Sequence, residues 1–481
     1  MAGSNDLTLA FTGNCSIFNP VSPYRDEGFL KVVDLLREAD VSFTNMECTI
    51  YDGHDWPSFG SGMGWAGSYL GVPPLIVDEL RWLGIDAVFA ANNHIADFAE
   101  GGILTTIKYL EDGKIAYAGI GTNLTTASEP AYVETPHGRV AFISVSDWGP
   151  RAKMDLPFPW PAGYMPSDEG PHFPSRPGVN LLRYDAAYHV DRDVFDQIQR
   201  MGGVFEWDRA KAGRRGAWAG QRTEPLFAPT WLDWEVDSET EYFCMGRKFI
   251  LDSEFRISTF AYQEDVDRIC KHIRDARRLA DIVVVALHDQ SHGVGVLDYI
   301  DTCAHQAVDA GADVFINTGG KHRGIEIYKG KAIFYGQPTF FLQNQQVAHV
   351  PQSVMQRVGL GPDSTGVDFV QFRAEGEMRG MSSGAAPHEI GDGPDPARRW
   401  WKKSEGSVVH LAVFGEDAQL EEVRIYPLDA KGGPIFRHGL PQLAPVGSEV
   451  SKRVLERVNE ECKPFGTSID IRDGVGVLKV R

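Results

Sequence analysis

An α/β protein with a mainly parallel sheet is predicted by three observations on this sequence. Short apolar runs alternate with helix-spaced segments from residue 7 to 118 and again from 264 to 316; Gly and Pro punctuate the boundaries; five of the runs stop at polar side chains. Strands joined through helices take right-handed crossovers and lie parallel. Pockets in open α/β sheets lie outside the carboxyl ends of such strands, so five polar endings can share one site.

Taken in order, Leu7–Phe11 alternates and ends in Thr12-Gly13-Asn14, a strand and turn. Phe29–Leu36 has helical spacing, and Val41-Ser42-Phe43 is a second strand ending in Thr44-Asn45-Met46-Glu47. A helix from Pro73 to Leu83, opened by two prolines, leads to a third strand that stops at Asn92-Asn93-His94. Leu104–Leu110 is helical, Gly113 stops it, and Ile115–Ala118 and Val140–Val145 are further strands. The rhythm then breaks. Residues 147–262, rich in Trp, Phe, Pro and Gly, are predicted to form a loop-rich aromatic insertion or cap, including 156–161 and 231–235. Such aromatics suit a peptide or apolar ligand, and equally a cap packed on itself.

Regularity returns with helix Glu264–Leu279 and the wholly apolar strand Ile282–Leu287, which ends in His288-Asp289. Helix Asp298–Ala310 and strand Asp313–Ile316, ending in Asn317, follow. Ile325–Tyr328 with Ala332–Tyr335, and Val408–Phe414 with Glu421–Tyr426, read as hairpins; Val450–Val458 is a terminal helix. Residues 378–398, full of Gly, Ser, Ala and Pro, are expected to be a mobile loop.

Length and charge narrow the function. A chain of 481 residues allows two to three domain-sized units or one elaborated α/β domain. Its net charge of −19 disfavours nucleic acid and anionic membrane as partners, because both need a basic face. The N-terminus shows no basic-then-apolar leader, and no apolar run is long enough to span a bilayer. Six scattered cysteines without a CxxC pair suit reduced thiols, and a cytoplasmic location is expected. Most read as small core residues; Cys15 and Cys48 read alternatively as pocket-lining thiols.

The five polar endings are Asn14, Asn45 with Glu47, Asn92-Asn93-His94, His288-Asp289 and Asn317. Taken singly, His94 reads as a histidine capping the next helix, Asp97 as a cap of its first turn, and His292 as an exposed loop residue. Five aligned endings argue for one pocket.

At this point a resemblance becomes specific. Phe11-Thr12-Gly13-Asn14, Thr44-Asn45-Met46-Glu47, Asn92-Asn93-His94-Ile95-Ala96-Asp97, Ala118-Gly119-Ile120-Gly121, Ala286-Leu287-His288, Gly311-Ala312-Asp313 and the segment 324–335 resemble, in that order, the CapA-type capsule and poly-γ-glutamate synthesis family. Residues 176–180 and 464–467 resemble one of its longer subfamilies. The resemblance implies a calcineurin-like metallophosphoesterase sandwich, two mixed sheets flanked by helices, spanning 1–481 as a single domain that carries the insertion.

Four departures bear on the chemistry. The family's first motif reads Gly-Asp where this chain has Gly13-Asn14, and Asn317-Thr318-Gly319-Gly320-Lys321 stands where the family resembles Gly-His-x-Pro-His. Asp289-Gln290 replaces a second histidine, and Gly336-Gln337-Pro338-Thr339 replaces Leu-Gly-Asn. Two cations held about 3.5–4 Å apart need several imidazoles and carboxylates. Glu47, Asn93, His94, His288 and Asp289 remain, so a site without metal and without cofactor is expected. Similar proteins in lasso-peptide clusters imply a metal-independent epimerase acting on a precursor peptide. It would use His288, Asp289, His94 and Glu47 for proton transfer, and Asn14, Asn45, Asn93, Asp97 and Asn317 to bind substrate. The alternatives are a metal-dependent phosphoester or amide hydrolase, with Glu47, Asn93, His94 and His288 as residual ligands, and a non-catalytic peptide- or polymer-binding protein.

Overall fold

Strand β1 (Leu7–Ser16) sends Leu7, Leu9 and Phe11 to one face and Ala10 and Cys15 to the other, and this alternation sets the layers of the molecule. The structure is a computed structural model. It describes residues 6–55, 69–148, 165–171, 174–212, 237–244, 247–289, 296–319, 322–343, 350, 352–357, 359–369, 406–433 and 436–481. Within these, β1, β2 (Val41–Met46), β3 (Ala87–Phe89) and β4 (Ala116–Ala118) lie side by side in parallel. The antiparallel strands Ser407–Phe414, Leu420–Gly433 and Val475–Lys479 extend that sheet beyond β1, and it has ten strands in all.

A second ten-stranded sheet centres on β5 (Gly138–Trp148), β6 (Leu181–Val190), β7 (Ile282–His288), β8 (Val314–Thr318) and β9 (Lys331–Phe334), in the order β6-β5-β7-β8-β9, all parallel. Its edge hairpin pairs β9 with Ile325–Tyr328, as the Lys329-Gly330 turn predicts. The two sheets face each other across an aromatic core in which Phe11 stacks on Phe43 at 5.2 Å and meets Phe334 edge-on at 4.9 Å. Each such ring removed from water contributes roughly 1.5–3 kcal/mol.

Helices α1 (Glu27–Glu38), α2 (Ile76–Leu83) and α3 (Ala99–Asp112) cover the outside of the first sheet. Helix α1 does so with Phe29, Val32, Val33 and Leu36, a single stripe at helical spacing. Helices α4 (Gln263–Arg277) and α5 (Asp298–Ala310) cover the second sheet. Two mixed sheets flanked by helices are therefore the architecture, in agreement with the sandwich that the resemblance implies. No helix among the described residues is long and apolar enough to cross a membrane.

The region 147–262 departs from its loop-rich expectation. Its described part contains β6, strands Glu241–Cys244, Arg247–Leu251 and Arg256–Ala261, and helix Arg192–Val204. These strands join the second sheet through β6. In Leu181–Val190 both faces are largely buried, so the period-2 signal is muted, and the surrounding Pro and Gly dominate the reading. The aromatic stretches 156–161 and 231–235 and the loop at 378–398 lie outside the described residues.

Candidate active site

A β-bulge places the first polar side chain. In regular alternation Phe11 and Asn14 would point to opposite faces, but the register against β2 shifts between them. Asn14 is thereby turned to the inter-sheet side, opposite Asn45, and Cys15 to the helix side. Gly13 is required at the bend because a Cβ there would sit 2.0 Å from the Pro338 carbonyl oxygen. Cys15 and Cys48 pack behind the sheet in the helix-covered core, with burial pushing both thiols up, so neither lines the pocket.

The ends of β1, β2, β3, β7 and β8 converge on His288. Asn45 Nδ2 donates to Asn14 Oδ1 at 2.9 Å and to His288 Nδ1 at 3.2 Å. Thr318 Oγ1 lies 3.0 Å from the same ring nitrogen, and Asn93 Oδ1 lies 3.0 Å from Nε2. Glu47 Oε1 is 3.6 Å from Nε2. His288 is 1% exposed while the Glu47 side chain keeps 14%, so the carboxylate is the member that reaches toward solvent. Burial pushes the Glu47 carboxyl up to about 7; His94 and a hydrogen bond from Asn14 oppose that rise, and Asp97 adds to it.

His94 is held by its own loop. Its Nδ1 lies 2.8 Å from Asp97 Oδ2, which also accepts from Leu70 N at 2.7 Å. Asn92 is a structural brace: its Nδ2 donates to Met46 O and its Oδ1 accepts from His94 N. Asp97 therefore orients an imidazole through Nδ1 and does not cap a helix; α3 starts after Phe98 with no side-chain cap. A carboxylate on Nδ1 is the arrangement of a base held in place.

Two expected site residues fall elsewhere. Asn317 sits on β8 between Ile316, which faces the other sheet, and Thr318, which meets His288. Successive strand residues alternate, so Asn317 points with Phe315 toward the helix layer, where it is fully buried and neither amide atom has a partner. The expectation that Asn317 binds substrate is corrected by one residue: Thr318 is the β8 member of the site. Asp289 is the second. Its carboxylate is engaged by Arg323 Nη1 at 2.8 Å, and Tyr299 OH lies 3.5 Å away while donating to Asp147 at 2.8 Å. Tyr299 belongs to the outer core, so these contacts place the Asp289 carboxylate among outer-core groups.

Sequence reasoning missed Thr318, and also missed Arg323, Tyr299 and Asp147. The first follows from the His288 and Thr318 pairing in β7 and β8, a register that no single strand reveals. His292 and Lys321 lie outside the described residues.

The described donors do not fit a pair of cations. Around His288 stand one carboxylate and three amides, and the Asn14 and Asn93 carbonyl oxygens already accept hydrogen bonds. What the fold and the pocket define is an α/β sandwich with an acid–base cluster at its strand ends. Residues 8–341 match the family described as "Bacterial capsule synthesis protein PGA_cap", and the chain belongs to that family. It is 26% identical over 480 residues to the uncharacterized proteins y4sH and y4uA of Sinorhizobium fredii (strain NBRC 101917 / NGR234), covering 98% of this chain and 93% of each relative.

Proposed function

We propose that this CapA-family protein is a metal-independent epimerase that inverts a Cα centre of a precursor peptide. One observation supports it most: Glu47, a carboxyl raised by burial to about 7, feels the charge of His94, an imidazole held by the Asp97 carboxylate. A carboxyl raised to about 7 is matched to proton transfer at neutral pH. His94 takes the Cα proton, the electron pair moves into the adjacent carbonyl as an enolate, and protonated Glu47 returns a proton to the opposite face. No electrons are gained or lost. Asn93, whose carbonyl is taken by His288 Nε2, offers its amide N–H to the enolate oxygen. After chelation, incubating the protein with candidate precursor peptides in D₂O should place one deuterium at the inverted Cα. Absence of Cα deuterium in every peptide tested would refute the reading.

A second reading is favoured by one distance pattern. Asn93 Oδ1 and Glu47 Oε1 lie 3.0 and 3.6 Å from His288 Nε2, a donor set that a single cation could share in a hydrolase of phosphoester or amide bonds. Metal analysis separates the two: stoichiometric metal together with hydrolysis abolished by chelation selects the hydrolase.

A further inference from the structure

We infer that Glu47, Asn14, Asn45 and His288 form a directional hydrogen-bond relay that fixes His288 as its Nε2–H tautomer, with Asn14, Asn45 and Thr318 as positioning residues rather than substrate donors. The direction follows from what each group is able to do. Asn14 Oδ1 faces Asn45, so its N–H is the group turned to Glu47, whose bond to Asn14 favours the ionised carboxyl. The Asn14 carbonyl oxygen accepts from Asn45 Nδ2 at 2.9 Å. The second N–H of the same Nδ2 meets His288 Nδ1 at 3.2 Å, so that nitrogen must be the acceptor. The ring proton is therefore on Nε2, where Asn93 Oδ1 accepts it at 3.0 Å.

Reversing the relay is costly at each joint. Turning the Asn45 amide would aim its oxygen, which has no partner now, at the Asn14 oxygen. Turning Asn14 as well would set its oxygen against the Glu47 carboxylate. Thr318, a hydroxyl able to give or take, adapts to either ring state and follows the direction set by Asn45. In consequence His288 acts as an N–H donor that orients Asn93.

This inference concerns the pocket of the reaction proposed above but is read without substrate. Nitrogen NMR on the full chain labelled in histidine, at about pH 8 where Glu47 is ionised, with His288 assigned from its loss in His288→Gln, reports each ring nitrogen. An unprotonated Nδ1 and a protonated Nε2 are expected. Asn45→Asp should move the proton to Nδ1, and Thr318→Val should leave it on Nε2. A protonated Nδ1 in the unaltered protein, an unchanged ring in folded Asn45→Asp, or a shifted proton in Thr318→Val overturns the relay. Should Asn45→Asp not fold, the unaltered protein's spectrum still decides. Absence of Cα deuterium with the expected tautomer defeats the epimerase and leaves the relay standing.

Discussion

Two buried polar clusters lie on opposite faces of the second sheet, close in sequence and different in kind. The inner one gathers Asn14, Asn45, Glu47, Asn93, His94, Asp97, His288 and Thr318 between the sheets. The outer one gathers Asp147, Asp289, Tyr299 and Arg323 beneath α5. In the outer cluster a guanidinium and a phenol are spent on two carboxylates, and burial with those carboxylates pushes the Tyr299 phenol far up, so it remains a donor. In the inner cluster burial raises a carboxyl to about 7 with no Lys or Arg bonded to it among the described residues, and an imidazole is held through Nδ1 by Asp97. Matched charges stabilise; groups left poised do chemistry. His288 and Asp289, adjacent in sequence, fall on the two sides of that division.

The largest effect separating the clusters is catalytic. His94→Ala should lower Cα exchange per folded molecule by about 10²- to 10⁴-fold, as expected for a general base. Arg323→Ala should act the other way: it removes the cation from the buried Asp289 carboxylate and should cost about 3–5 kcal/mol in denaturant unfolding. Residual exchange per folded molecule should persist.

Acidity sharpens the comparison further. Because Glu47 is raised to about 7 from an ordinary value near 4.5, the folded state binds more protons than the unfolded state between those values. Stability is then highest at or below about pH 4.5 as far as this group is concerned, and falls by up to about 3 kcal/mol as pH rises through 7. Glu47→Gln should flatten that slope in pH-dependent unfolding. Tyr299→Phe removes a donor from Asp147 and should cost about 1–3 kcal/mol while leaving exchange intact. The smallest effect is expected at Asn317→Leu, neutral or slightly stabilising in the same unfolding assay, since the amide has no partner and both its neighbours in the outward row are apolar.

Much of this was legible beforehand. Period-2 and helical spacing located β1, β2, β7, α4 and α5 to within a few residues, and polar strand endings pointed to His94, His288, Glu47, Asn14 and Asn45. Facing was not legible at strand tips. Asn317 and Thr318 are equally polar, and only the pairing of β8 with β7 decides which meets His288. The bulge that turns Asn14 inward is likewise invisible in a string, because it depends on the register against β2 and on Pro338 approaching Gly13 from 325 residues away. Arg323 was missed since its partner, Asp289, looked catalytic by adjacency to His288.

The central claim is that Glu47 and His94 move protons without a cation. The most direct test measures Cα deuterium in a precursor peptide incubated in D₂O with chelator-treated protein, alongside chelated His94→Ala. Single-site deuterium in the first and a loss of at least about 10²-fold in the second is the predicted result. Exchange that vanishes on chelation and returns only with added metal would contradict it.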